Sequence, residues 1–201
     1  MSDKPKRKGI PKPQKPPFQP LRPEQTTIGR VGMAHERFVG RVVTEWAKLE
    51  ALLNDLIWTM TGLKIEDGRL LTERQDASRL IAILRGLSER YLIDEGTPSP
   101  RSRFLDALDI IDQLREDRNL IIHGAWGEVD GIPILLSLRA KPDAPANIAG
   151  ETYPPSRMVK IAVDIGRCIK IMNAFLGIFE SSRKKTSAEP KRDSPGPLPD
   201  Q

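Results

Sequence analysis

Residues 99–124 constrain this chain more than any other stretch. Ser99-Pro100 is a good helix start: serine suits the N-cap, and proline's fixed φ and missing N–H suit the first helical position. From there Phe104, Ala107, Leu108, Ile110, Ile111, Leu114, Ile121 and Ile122 recur at helical spacing, and Gly124 offers a stop. At 100° per residue, Arg118 falls in the middle of that apolar stripe. Ala107, Ile111, Leu114 and Ile122 all lie within about 40° of it. A charge on a buried face costs free energy unless something pairs with it, and a broken local rule of this kind tends to mark function. Arg115 lies near the edge of the stripe, where it can snorkel to water.

Three more segments have the same character. Over 33–61, Phe38, Val42, Leu49, Leu53, Leu56 and Met60 share one helical face, with Gly62 as the stop. Glu45 falls on that face too, about 40° from Leu49, and needs a partner there. Residues 63–69 read as a polar turn. A second helix is predicted over about 70–93 on the seam Leu80, Leu84, Leu87 and Tyr91, with Arg74, Arg79, Arg85 and Arg90 mostly off it; these arginines form either a solvated face or a phosphate-facing one. The last helix is predicted over 156–182. Its apolar residues Met158, Ala162, Ile165, Ile169, Met172, Leu176 and Phe179 suit a bundle core, a dimer seam, or both. Between the third and fourth helices, apolar runs flank Asp130-Gly131, a β-hairpin signal, and 140–155 read as a loop. The expected fold is therefore all-α: an antiparallel four-helix bundle with a small hairpin between its third and fourth helices.

Composition sets the limits of the folded body. Residues 1–27 and 183–201 are charged and proline-rich and hold too little apolar surface to offset their ordering entropy, so both are expected to be disordered tails around a domain at 28–182. The net charge of +5 resides in those tails: residues 1–22 carry +6 and residues 183–201 carry +2, leaving −3 on residues 23–182. The domain is thus not a basic platform, and the tails either add loose phosphate affinity or serve solubility. A single cysteine, Cys168, excludes an internal disulfide, and two histidines far apart with one cysteine make no metal cluster. No phosphate-loop or nucleophile-elbow motif occurs, so neither cofactor nor metal is expected. No apolar run reaches membrane-span length, and the basic start lacks the apolar core of a secretory signal. A cytoplasmic protein without a membrane partner is the expectation.

Arg118-Asn119-Leu120-Ile121-Ile122-His123 has the form R-N-x-x-x-H at the end of a long helix. In motif, placement and order of helices the chain resembles the HEPN superfamily, whose members carry R-x(4–6)-H with a polar residue commonly after the arginine. The resemblance implies a metal-independent endoribonuclease, acting as a toxin or defence effector, whose homodimer brings two motifs together at a cleft. It implies His123 as general acid/base on RNA, Arg118 as the cation at the scissile phosphate, Asn119 as the group orienting His123 or the phosphate, and a 2′,3′-cyclic phosphate product. An antitoxin or regulatory protein would be the natural partner. In toxins paired with nucleotidyltransferase antitoxins, a tyrosine stands two positions after the histidine; here that position is Ala125, so that form of regulation is not expected.

The chemistry is compatible: imidazole transfers protons near neutral pH, and guanidinium matches phosphate. Asn119 and His123 share a helix face, whereas Arg118 and His123 lie about 140° apart. Convergence therefore requires a long reach, an unwound helix end, or a second subunit. Each residue also has a purely structural reading. Arg118 then pairs with Glu45, His123 caps the helix, Asn119 is an exposed polar residue, and Trp126 packs under the hairpin rather than stacking on a base. On those readings the chain is a non-catalytic HEPN-like binding or scaffold protein. His35 has no histidine near it in sequence and reads as structural.

Overall fold

A computed structural model of the chain describes residues 19–20, 26–28, 33–92, 96, 98–129, 132–137 and 149–188. Among them are five helices: α1 (Met33–Thr61), α2 (Ile65–Thr72), α3 (Ala77–Tyr91), α4 (Pro100–His123) and α5 (Pro155–Ala188). Five short strands accompany them: β1 (Gln19–Pro20), β2 (Thr26–Ile28), β3 (Ala125–Val129), β4 (Ile132–Ser137) and β5 (Ala149–Thr152). The protein is thus mostly helical with a small antiparallel sheet. It divides into a helical unit, 33–123 with 154–201, and a sheet unit, 1–32 with 124–153.

In the helical unit, α1 packs against each of the other four helices, and α4 packs on α3 and α5. Leu49, Leu53 and Leu56 of α1, Leu80 and Leu84 of α3, and Leu108 and Ile111 of α4 form its centre. Burying each such side chain contributes about 1.5–3 kcal/mol. On α5, Met158, Ala162, Ile165, Met172 and Phe179 are all buried, and the Phe175 ring meets Phe104 edge-on at 4.9 Å. The α5 stripe is therefore core. Ile110 departs from the expected pattern and is exposed, because it sits on the shoulder of the α4 stripe.

The helix count differs from the expected four, since what read as a turn after Gly62 contains α2. Gly62 ends α1 at φ 74°, with its N–H on the Thr59 carbonyl and the Leu63 N–H on the Trp58 carbonyl, a Schellman arrangement that glycine adopts without a Cβ penalty. The chain then turns back along α1. Gly68 lies so close to Trp58 that a Cβ there would stand 2.5 Å from the indole, and Trp58 Nε1 donates to Thr72 Oγ1 at 3.1 Å. Thr72 Oγ1 in turn donates to the Gly68 carbonyl at 3.0 Å. A glycine and a hydroxyl thus hold a helix whose Ile65, Leu70 and Leu71 stay exposed. The helix expected over 70–93 is correspondingly shorter, beginning at Ala77 behind the N-cap Asp76.

In the sheet unit the strand order is β1-β5-β4-β3-β2, with every neighbour antiparallel. The expected hairpin is present: Val129 faces Ile132 and Ala125 faces Leu136 across β3 and β4. Its Asp130-Gly131 tip lies outside the described residues. Two expectations need correction. Residues 140–155 are not wholly loop, since β5 pairs with β4 and Tyr153 N–H reaches the Pro133 carbonyl. Nor is all of 1–27 without structure, since β1 and β2 edge the sheet: pairing supplies the backbone partners that composition alone does not reveal. At the other end α5 continues past 182 to Ala188; residues 189–201 lie outside the described residues. Among the described residues no helix is long and apolar enough to cross a membrane.

Candidate functional site

Arg118 is half-buried, in the last turns of α4, and its guanidinium carbon lies 5.9 Å from the centre of the Trp46 ring on α1. That distance is within reach of a cation–π attraction. Trp46 itself is 1% exposed. The Arg118 guanidinium donates through Nη1 to Asn119 Oδ1 at 2.9 Å, and its Nε is fully buried with no hydrogen-bond partner among the described residues. Asn119 thus orients Arg118 rather than His123.

The expected Arg118–Glu45 pair does not form. Glu45 bonds Lys48 at 2.8 Å, one turn along its own helix. On α1, Glu45 and Trp46 flank the Leu49 line on opposite sides, and it is Trp46 that lies against Arg118 of α4. Among the described residues, no carboxylate lies within ion-pair distance of Arg118.

Around Arg118 is a pocket of about 100 Å³, lined by Trp46 and Glu50 of α1, Asp76, Ala77 and Ser78 at the start of α3, and Arg115, Arg118 and Asn119 of α4. Two of its charged groups are already committed. Asp76 accepts from the Arg79 N–H at 2.8 Å as the α3 N-cap; that bond, with a further one from Ser78, holds its carboxyl below the usual carboxylate value. Arg115 Nε bonds Asp112 at 2.8 Å. Arg118 and Glu50 face the same pocket without an ion pair.

His123 is the last residue of α4 and is exposed. It makes no hydrogen bond or ion pair with any described residue, so it is not a side-chain cap. Arg118 and His123 remain on different faces of the helix, as the 140° separation requires. Trp126 belongs to the sheet unit, where its half-buried ring meets Tyr153 edge-on at 5.8 Å. His35 is buried. The structure therefore brings together Arg118, Asn119 and, unforeseen, Trp46, Glu50, Asp76 and Ser78. It leaves Glu45 out, and His123 has no contact with Arg118 inside one chain.

Cys168 is buried in α5, which pushes its thiol up to about 11, with Asp164 adding to the effect. It is an inert core residue. Among the described residues no three His, Cys, Asp or Glu side chains are grouped to hold a metal ion. No protein-family model matches the chain, and neither a curated protein nor a solved structure matches it significantly.

Proposed function

We propose that the protein is a metal-independent endoribonuclease of HEPN type, working as a homodimer with its long helices in an antiparallel four-helix arrangement. The observation that carries this reading is the state of Arg118. A half-buried guanidinium that makes no ion pair among the described residues, and whose buried Nε has no hydrogen-bond partner there, is an incompletely compensated charge that an anion would stabilise. RNA phosphate is the anion that the R-N-x-x-x-H pattern suggests. His123, exposed at the helix end, is open to substrate. By this reading it moves protons at the 2′-hydroxyl or the leaving 5′-oxygen while Arg118 stabilises the charge on phosphorus. Because the two residues do not meet within one chain, one site takes His123 from one subunit and Arg118 from the other. A toxin or defence role in the cytoplasm, held in check by a regulatory protein, is consistent with such an activity.

The competing reading is a non-catalytic binding protein, favoured by the hydrogen bond that ties Arg118 to Asn119. RNA cleavage in EDTA separates the two. The nuclease reading expects a 2′,3′-cyclic phosphate product from wild type and none from Arg118→Ala or His123→Ala. Mixing those two variants should restore part of the activity through hybrid dimers. Equal cleavage by all three proteins, or by none across varied RNAs, would favour the binding reading.

A further inference from the structure

We infer that the outer shoulder formed by α4 and α5 is an interface with a second copy of this chain, α4 of each copy lying on α5 of the other. The inference goes beyond the nuclease reading and does not rest on it. Round α4, His123 stands about 140° from Ile110 of this shoulder, so the contact is additional to the one that reading requires.

Register comes first. Phe104 meets Phe175 at 4.9 Å and Arg157 reaches Asp117 at 3.9 Å, so α4 and α5 run antiparallel. Ile110 lies six residues past Phe104, about 9 Å along the axis, and Ile171 lies four before Phe175, about 6 Å. Both steps run the same way, so the two isoleucines are nearly level. They also share a side. Counting from the buried Ile111 of α4, Ile110 and Asp117 stand about 100° and 120° round. Counting from the buried Ile165 of α5, Arg157 stands about 80° round, with Ile171 and Ile178 about 120° and 140° in the same sense. The Asp117–Arg157 pair marks where the two helices meet at the surface, and the three isoleucines border that seam. Ile110 is 41% exposed, Ile171 40% and Ile178 52%. A single exposed isoleucine is ordinary; three along one seam are an apolar surface without cover.

The charges beside them choose the occupant. Along α4 the exposed charged residues are Arg103, Asp106 and Glu116, an acidic balance, and Asp106 makes no ion pair among the described residues. Along α5, Lys160 and Arg167 share the single carboxylate of Asp164, at 2.6 and 2.8 Å, which leaves one positive charge in excess. The exposed Lys170 adds another. One half of the shoulder is therefore acidic and the other basic, and a surface of this kind is complementary to itself. A two-fold axis along the helices sets Ile110 on Ile171 of the partner subunit and turns Asp106 toward Lys170 of the partner subunit. Pairing α5 with α5 would oppose base to base. The isoleucines supply the attraction, and the charges, worth little as exposed pairs, select the pairing.

The test is cross-linking of the full-length protein with a short bis-maleimide across a dilution series, because it reads this contact and no other. Wild type is the blank, since its one cysteine, Cys168, is buried. A mixture of Ile110→Cys and Ile171→Cys proteins should give a linked dimer, and neither protein should link by itself. Adding Asp106→Lys to the Ile110→Cys protein should lower the yield several-fold. Adding Lys170→Asp to its Ile171→Cys partner should restore it. No linkage in the mixture would overturn the inference. So would linkage by Ile171→Cys alone, which puts α5 on α5, or a yield indifferent to the charge changes. All these positions are exposed, so the variants should fold as wild type does. Cross-linking in the absence of any RNA cleavage leaves this interface standing and sinks the nuclease reading. His123-dependent cleavage without cross-linking does the reverse.

Discussion

Arg118 and His123 lie five residues apart on one helix, yet their environments have little in common. Arg118 is held from three sides: Trp46 below, Asn119 beside it, and the start of α3 across the pocket. His123 ends the helix in the open. A fixed cation and a free imidazole suit different tasks. Electrostatic stabilisation works best from a charge that is already in place, whereas proton transfer needs a group that can reach substrate. The contrast also sets how each residue should fail: loss of Arg118 should disturb packing as well as chemistry, and loss of His123 should disturb chemistry alone.

The largest expected effect is on turnover. His123→Ala should lower RNA cleavage by about 10²–10⁴-fold, the usual contribution of a general acid/base. Its thermal unfolding should stay within about 0.5 kcal/mol of wild type, as for an exposed site. A clear loss of stability would erase the contrast and make His123 structural.

Next comes the platform under the arginine. Trp46→Ala should cost about 3–5 kcal/mol in chemical denaturation, since it removes a fully buried ring. Trp46→Phe should retain most of the stability and most of the cleavage, because a ring remains under the guanidinium. If Phe abolishes cleavage while the protein stays folded, Trp46 acts by more than supporting Arg118.

A smaller effect is expected away from the pocket. Gly68→Ala forces a methyl into the Trp58 indole and should cost about 1–3 kcal/mol by overpacking. Cleavage per folded molecule should not change. A fall in activity at full folding would link α2 to the site and blur the boundary between held and free regions.

The smallest effect is a pH dependence. Burial holds the Cys168 thiol protonated up to about 11, above its ordinary 9.0. The unfolded chain therefore releases its proton first. The contribution to stability is complete below pH 9 and is lost as pH rises from 9 toward 11. Cys168→Ala should flatten that part of an unfolding-against-pH curve. At pH 8 the native thiol should resist alkylation until denaturant is added.

Much of the helical unit was legible from spacing alone. The bounds of α1, the Ser99 cap bonded to the Ser102 N–H and the buried residues of α4 follow from apolar periodicity and capping chemistry. The short α2 was not legible, because it is anchored by a close approach of Gly68 to Trp58 that has no periodic signature. The strands β1 and β2 were missed for a related reason: a strand of two or three residues exists only through its neighbour. Trp46 and Asp76 each carried a local signal, one beside an apolar stripe and the other as a helix cap. Neither signal said that they would meet Arg118.

The sequence by itself determined that a cation stands in the middle of the α4 stripe, since angular position on a helix depends only on residue count. It likewise determined that Arg118 and His123 face different ways. Only the tertiary structure decided the arginine's company. Glu45 and Trp46 are neighbours in the chain and lie on either side of the same stripe, so counting alone did not choose between a salt bridge and an aromatic platform. The packing of α4 against α1 chose the platform, placed the α3 cap opposite, and left the guanidinium without an ion pair among the described residues.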